Sequence, residues 1–250
     1  RIGWRPLKRT LGSNIWLMED KCIVHQPGVL GYQPALDLQQ RIHRQVSDGK
    51  RPSTLLLLEH PHVYTLGRRG VTRDIFLDSA ELKKMGAELY HTDRGGQVTY
   101  HGPGQLVGYP ILDLRRWGVG PLEYVHALEE TIVDSLAHFG LTASSDQYPT
   151  GVWIGDAKIA AIGVKISRGV SMHGFAINVD TDLSYFDHIV PCGMPDAKVT
   201  SVSRELGSTV SIEQVVSVLT SEFGRVFAMQ MIRQWDPIDA SVTVDTPSGR

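Results

Sequence analysis

Cys192 stands in Val190-Pro191-Cys192-Gly193, a setting that could make a nucleophile of a thiol. Pro191 fixes the approach of the chain, and Gly193 leaves the sulfur side uncrowded. Backbone N–H groups at such a bend could donate to an oxyanion. The attacking species is the thiolate, so the cysteine needs a neighbour that favours the charge. His101 and His173 are candidate bases, which would give a Cys–His hydrolase or transferase. Lys158 and Lys165 are candidate cations on one predicted strand. Strict alternation groups Lys158 with Ala160, Ile162 and Val164, and Lys165 with Ile159, Ala161 and Gly163. On that reading only one of the two lysines meets a given site. Cys22, ahead of Ile23-Val24 in an apolar stretch, reads instead as a buried, inert thiol.

A second segment could bind rather than react. Arg94-Gly95-Gly96-Gln97-Val98-Thr99-Tyr100-His101-Gly102-Pro103-Gly104-Gln105 is too polar for a core strand and too rich in β-formers for a linker. Gly95-Gly96 would let a ligand or another backbone approach closely, since no Cβ intervenes. A glycine-rich hairpin is the plainer reading of the same residues. Other motifs are missing. Gly102, Gly104 and Gly108 are spaced one residue off the dinucleotide fingerprint and lack its strand–helix context. There is no GxxxxGK[ST] phosphate loop and no HExxH. His60-Pro61-His62 is an H-x-H pair without further ligands nearby, so no metal site is expected.

The elements that must position these groups belong to a 250-residue chain, long enough for one large domain or two small ones. Hydrophobic residues at 42% and charged residues at 21% are globular values. Lys plus Arg is 25 against 27 for Asp plus Glu, a net charge of −2, which argues against a nucleic-acid partner. No apolar run approaches the roughly 18–20 residues of a membrane span. The opening Arg-Ile-Gly-Trp-Arg-Pro lacks the apolar core of a secretory signal, and the expectation is a soluble, cytoplasmic protein. The chain opens on Arg1 rather than methionine, which leaves room for a longer native N-terminus.

Periodicity predicts a helix over 33–46 ended by Ser47-Asp48-Gly49, a buried strand over 54–59, and a short helix over 79–85 with Ser79 near its N-cap. Strands over 97–101 and 105–112 are joined by the turn Gly102-Pro103-Gly104. A helix runs from Pro121 to Phe139. Strands follow over 151–154, 158–166 and 171–179, with hairpin signals at Gly155-Asp156 and Arg168-Gly169. Ser211–Phe227 is a last helix, opened by a Ser-x-x-Gln box. This pattern predicts an α+β fold with a mixed sheet flanked by helices. We divide the chain into an N-terminal extension (1–20), a catalytic domain (21–230) and a polar tail (231–250).

RGGQVTYHGPGQLVGYP, AKIAAIGVKISRGVSMHGFAINV, IVPCG and KVTS occur in that order. Together they resemble the lipoyl(octanoyl) transferases, from about Gly31 to Phe227. The resemblance implies the fold of the lipoate and biotin protein ligases. It implies transfer of an octanoyl (or lipoyl) group from acyl carrier protein to a lysine of a lipoyl domain. The acceptors implied are the lipoyl domains of 2-oxoacid dehydrogenase complexes and the glycine cleavage H protein. By matching motifs, Cys192 would carry the acyl group as a thioester and Lys158 would be the catalytic lysine. Lys165 stands where the family often has Arg. Substrate-binding positions carried over are Arg94, Gly95, Gly96, Gln97, Val98, Thr99, Tyr100, His101, Ala161, Ile162, Gly163, Gly174, Phe175 and Ala176. No cofactor is implied, because thioester to amide runs downhill without a nucleotide. An alternative is an ATP-dependent lipoate or biotin ligase, in which Cys192 would be dispensable. An amidotransferase taking octanoyl from another carrier domain would differ only in donor preference. A non-catalytic acyl-binding module would leave the cysteine and the lysine unexplained.

Overall fold

The computed structural model describes residues 20–146, 150–190 and 198–234. The tail from residue 235 onward, most of the N-terminal extension and Cys192 itself lie outside the described residues. The predicted class holds: one mixed sheet with helices on both faces, and a small second sheet beside it.

The main sheet is built from β1 (Asp20–Val29), β2 (Ser53–Glu59), β6 (Gln105–Ile111), β7 (Val152–Ile154), β8 (Ala157–Ser167), β9 (Val170–Asn178), β10 (Lys198–Val199) and β11 (Met229–Arg233). Its order is β10-β8-β9-β6-β2-β1-β11, with β7 also paired to β8. The β2, β6, β9 and β8 pairings are antiparallel, whereas β1 runs parallel to both β2 and β11. The small sheet has the order β4-β3-β5, from β3 (Val63–Leu66), β4 (Glu88–His91) and β5 (Val98–His101).

Helix α1 (Tyr32–Ser47) puts Ala35, Leu38, Ile42 and Val46 at helical spacing against Val107, Ile111 and Ala176 on one face of the main sheet. It ends as the sequence foretold, with Asp48 as C-cap and Gly49 at φ +69°. Helix α3 (Pro121–Ala137) and helix α5 (Ile212–Phe227), which follows the short α4 (Val202–Leu206) in the chain, cover the opposite face, where Leu128, Ile132, Leu219 and Phe223 meet Leu106, Phe175 and Ile177. Each such side chain, fully buried, contributes about 1.5–3 kcal/mol. The Ser211–Gln214 capping box opens α5 as predicted. In α2 (Ser79–Lys84) the cap is Asp78, one residue ahead of the predicted Ser79. Its carboxylate accepts from the N–H groups of both Ala80 and Glu81.

The Arg168-Gly169 hairpin has both residues in the left-handed region, at φ 53° and 74°. The Gly102-Pro103-Gly104 turn does something else. It passes the chain from β5 in the small sheet to β6 in the main one, so the two strands it joins do not pair. The glycine-rich segment is therefore the seam between two sheets rather than a hairpin. β11 runs to Arg233 and pairs in parallel with β1. No helix among the described residues is long and apolar enough to cross a membrane.

Candidate active site

A cleft opens at that seam. It is lined by Arg94, Gly96, Gln97, Val98, Thr99 and His101 from the seam, and by Ala161, Ile162 and Gly163 from β8. His173, Gly174, Phe175 and Ala176 from β9 complete the wall with Tyr32, Val107 and Tyr109. All the carried-over binding positions are here except Gly95 and Tyr100. Gly95 donates its N–H to the Val164 carbonyl at 2.9 Å and so pins the segment onto β8. A Cβ on the facing Gly163 would stand 2.9 Å from the Gly95 carbonyl oxygen, which explains glycine on that strand. Tyr100 turns away: its hydroxyl pairs with His62 Nδ1 at 2.8 Å and its ring stacks on Tyr185. Alternation along β5, which aims Thr99 and His101 one way and Tyr100 the other, carried that signal. Tyr32, at the start of α1, and Tyr109, on β6, were not foreseen, because nothing local marks an aromatic residue as part of a distant wall.

Arg94 is buried and acts first as a strut. Its guanidinium donates to the Thr65 carbonyl (2.7 Å) and hydroxyl (2.8 Å), the Gln97 carbonyl (2.9 Å) and the Gly95 carbonyl (3.0 Å). These bonds curl the segment into a fixed loop. His101 is fully enclosed, and burial, with lesser effects from His60, Arg94 and His173, pushes its pKa down to about 3. The neutral ring donates from Nδ1 to Gln105 Oε1 at 2.8 Å. Gln105 Nε2 donates in turn to Asn178 Oδ1, and Asn178 Nδ2 to the Thr200 carbonyl. An imidazole held neutral so far below pH 7 is a hydrogen-bond partner, not a general base. His173, also buried, is lowered by burial against the opposing pull of Asp93, to which its Nε2 donates at 2.8 Å. Lys165 makes an ion pair with the other oxygen of Asp93. The two candidate histidine bases and Lys165 thus all hold other partners.

Lys158 is buried, with its Nζ 5.1 Å from the centre of the Trp153 ring. Its backbone carbonyl accepts from Thr200 N–H, in register with β10. The simple alternation expected for β8 fails here. Trp153 pairs with Lys158 while Val152 pairs with Ala160, so Ile159 is an extra residue, a bulge. Ile159 and Ala160 both enter the core under α3 and α5. One step of alternation is lost there, so the residues before and after Ile159 do not keep a single two-residue period. Gly151 makes room for the lysine: a Cβ there would lie 2.6 Å from Lys158 Cε.

Cys22 is fully buried and its thiol is pushed up to about 12 by burial, which makes it inert at neutral pH as expected. Cys192 follows Val190, whose N–H donates to the Asp74 carbonyl; the cysteine is outside the described residues. His60 and His62 do not converge: His60 bonds the Leu30 carbonyl and the Tyr109 hydroxyl, and His62 faces Tyr100 and Tyr185. Among the described residues no His/Cys/Asp/Glu cluster is arranged to hold a metal ion.

The buried histidines give a prediction about acid stability. His60 is lowered to about 4 by burial, as His101 is to about 3. Unfolded, each binds a proton near pH 6.5. Below that value the unfolded chain binds more protons, so stability is full above it and falls as the pH drops through the window. At pH 5 each histidine costs about 2 kcal/mol. Urea unfolding at pH 7 and pH 5 should show a loss of about 4 kcal/mol from this pair. The His60→Gln variant should lose roughly half of that dependence. Equal urea midpoints at the two pH values would sink the assignment of neutral histidines.

A mixed sheet flanked by helices is the fold of the lipoate ligase catalytic domains. A putative lipoate protein ligase from Thermoplasma acidophilum, solved with bound lipoic acid, superposes with a TM-score of 0.70 at 21% identity, covering 87% of this chain and 89% of that one. A lipoate-protein ligase A solved with ATP gives a TM-score of 0.71 at 21% identity, covering 88% and 89%. At that identity the likeness shows the fold. Sequence goes further: residues 31–224 match the lipoyl protein ligase A/B catalytic domain, and the chain belongs to that family. Among its relatives are an octanoyltransferase of Solibacter usitatus, 48% identical over 84% of this chain and 95% of that protein, and a mitochondrial octanoyltransferase of Arabidopsis thaliana, 41% identical over 88% and 93%.

Proposed function

We infer that this protein is an octanoyltransferase of protein lipoylation, and that it works through a Cys192 thioester with Lys158 as its proton carrier. What supports the reading is a chain 48% identical to an octanoyltransferase over 84% of its length, with a cleft walled by Arg94, Gly96, His101, Gly163 and Gly174 from the matching segments. The Lys158 ammonium favours the Cys192 thiolate. The thiolate attacks the thioester carbonyl of octanoyl-acyl carrier protein. A new C–S bond forms to Cys192, the bond to the carrier's sulfur breaks, and Lys158 gives its proton to the departing thiolate. Lys158 is then neutral when the lipoyl-domain lysine arrives as an amine. The amine attacks the acyl-enzyme, Lys158 takes its proton, and the C–S bond to Cys192 breaks to leave an amide and the thiolate. Ala161, Gly163, Gly174 and Ala176 give the cleft an apolar floor suited to an aliphatic chain. Burying six methylenes there contributes about 5 kcal/mol. The acceptors in this reading are lipoyl domains of 2-oxoacid dehydrogenase complexes and the glycine cleavage H protein, and the compartment is the cytoplasm.

Intact-mass spectrometry tests it. An apo lipoyl domain is incubated with the protein and octanoyl-acyl carrier protein without ATP. The expected result is a gain of one octanoyl group. A gain that required ATP and free octanoic acid would move the protein to the ligase class.

A further inference from the structure

The segment Gly67–Phe76 carries three exposed arginines, Arg68, Arg69 and Arg73, in a chain whose net charge is −2. Among the described residues none of the three is in an ion pair. The carboxylates close by in sequence have other work. Asp74 accepts from Val71 N–H, and Asp78 and Glu81 form the capping box of α2. Two large apolar side chains stand out of the same stretch, Val71 at 43% and Phe76 at 61% exposure. Three arginines against the single Asp74, with exposed apolar groups beside them, are the composition of a protein-docking surface.

Backbone bonds fix where this surface lies. At one end Gly67, Arg68 and Arg69 donate their N–H groups to the carbonyls of Gln97, Arg94 and Gly96, the seam that walls the cleft. At the other end Phe76 donates to His188, Val190 donates to Asp74, and Ile75 bridges Ile189. The arginine segment therefore spans from the wall of the cleft to the strand-like stretch that leads, two residues on, into Cys192. A partner seated on it would hold a tethered group at the cleft.

We propose that Arg68, Arg69 and Arg73, with Val71 and Phe76, form the docking surface for the acyl donor, a carrier protein with an acidic face that brings its acyl chain on a flexible thioester arm. This rests on the octanoyltransferase reading above. The cluster's positive charge complements an acidic carrier, and the apolar pair supplies the contact that charge alone does not. The lipoyl-domain acceptor is left to another surface.

The test is steady-state transfer by the full chain with two donors, octanoyl-acyl carrier protein and the small thioester octanoyl-pantetheine. In Arg68→Glu/Arg69→Glu/Arg73→Glu, KM for the carrier donor is expected to rise at least about tenfold. The rate with octanoyl-pantetheine and KM for the lipoyl domain stay at wild-type values. Raising ionic strength from about 0.02 to about 0.2 M should raise KM for the carrier in the wild type and not in the variant. Phe76→Ser, which leaves every charge in place, should raise the same KM without altering its salt dependence. Unchanged KM for the carrier in both variants overturns the proposal. A rise confined to the lipoyl domain gives the surface to the acceptor and also overturns it. Loss of activity with octanoyl-pantetheine would mean a structural role, again against the proposal. If the wild type itself transfers nothing from either donor, the octanoyltransferase reading fails, a result distinct from all of these.

Discussion

Replacing Cys192 with alanine is expected to abolish octanoyl transfer, by a factor on the order of 10⁴ or more, while Cys22→Ser leaves the rate within about twofold of wild type. The chain has two cysteines, and the physics of the two differs. Cys22 is buried on β1 among Leu55, Leu57 and Tyr124, and burial holds its thiol protonated. A thiol with a pKa of about 12 contributes almost no thiolate at neutral pH, so it cannot serve as the acyl carrier. Cys192 lies between Pro191 and Gly193, directly after the stretch that Asp74 and Phe76 hold against the small sheet. Loss of the sulfur removes the covalent route altogether, and what remains is direct aminolysis of a bound thioester. Two readouts separate the effects. Enzyme incubated with octanoyl-acyl carrier protein alone should gain one octanoyl group by mass in the wild type and none in Cys192→Ala. Thermal unfolding of the variant should stay within a few degrees of wild type. An acylated Cys192→Ala enzyme, or a dead Cys22→Ser, would overturn the assignment.

The parts of this molecule that were legible in the sequence are those whose cause is local. Arg168-Gly169 fits a two-residue turn with both residues left-handed, and the β8–β9 hairpin closes there. Ala35, Leu38, Ile42 and Val46 repeat at helical spacing, and they are the buried face of α1. Ser211 with Gln214 caps α5 because both hydrogen bonds lie within four residues. What was not legible depends on partners far away in the chain. β11 is parallel to β1 across about two hundred residues, and no local pattern announces that pairing. Gly102-Pro103-Gly104 has the composition of a hairpin turn. Whether its flanking strands pair or part is decided by β3 and β9, which take the places beside them. The site shows the same division. Motif order located the seam, β8 and β9. The bulge at Ile159 exists because β7 and β8 pair with one residue to spare. Side-chain alternation alone left open which lysine meets the site, and it could not foresee the bulge.

The second large effect belongs to Lys158. Lys158→Ala is expected to slow transfer by about 10²–10⁴-fold, the usual range for a lost general acid–base group. The other basic side chains of the site are already committed, which is why none is expected to take over. His101 is neutral and tied to Gln105, and His173 and Lys165 both hold Asp93. In the proposed mechanism one proton passes through Lys158 in each half-reaction, so both should slow. Acylation of Cys192 by the carrier and release of octanoyl to the lipoyl domain can be followed separately by mass in single-turnover experiments. The pH dependence should change as well, since the variant no longer loses and regains a proton at this group between the two steps. Raising the pH should then rescue acylation partly, by supplying thiolate directly, and leave the overall profile steeper. Stability should fall less than activity: the substitution removes the Lys158 side chain from beside Trp153 and Gly151 without touching the sheet pairing. Lys158→Arg is the sharper variant. Its guanidinium keeps the charge but cannot give up a proton in this pH range, so it should support thiolate formation and fail in the second half-reaction. An arginine variant that acylates and stalls would establish the two roles of the lysine separately; one that turns over at wild-type rate would show that charge alone is required of this position.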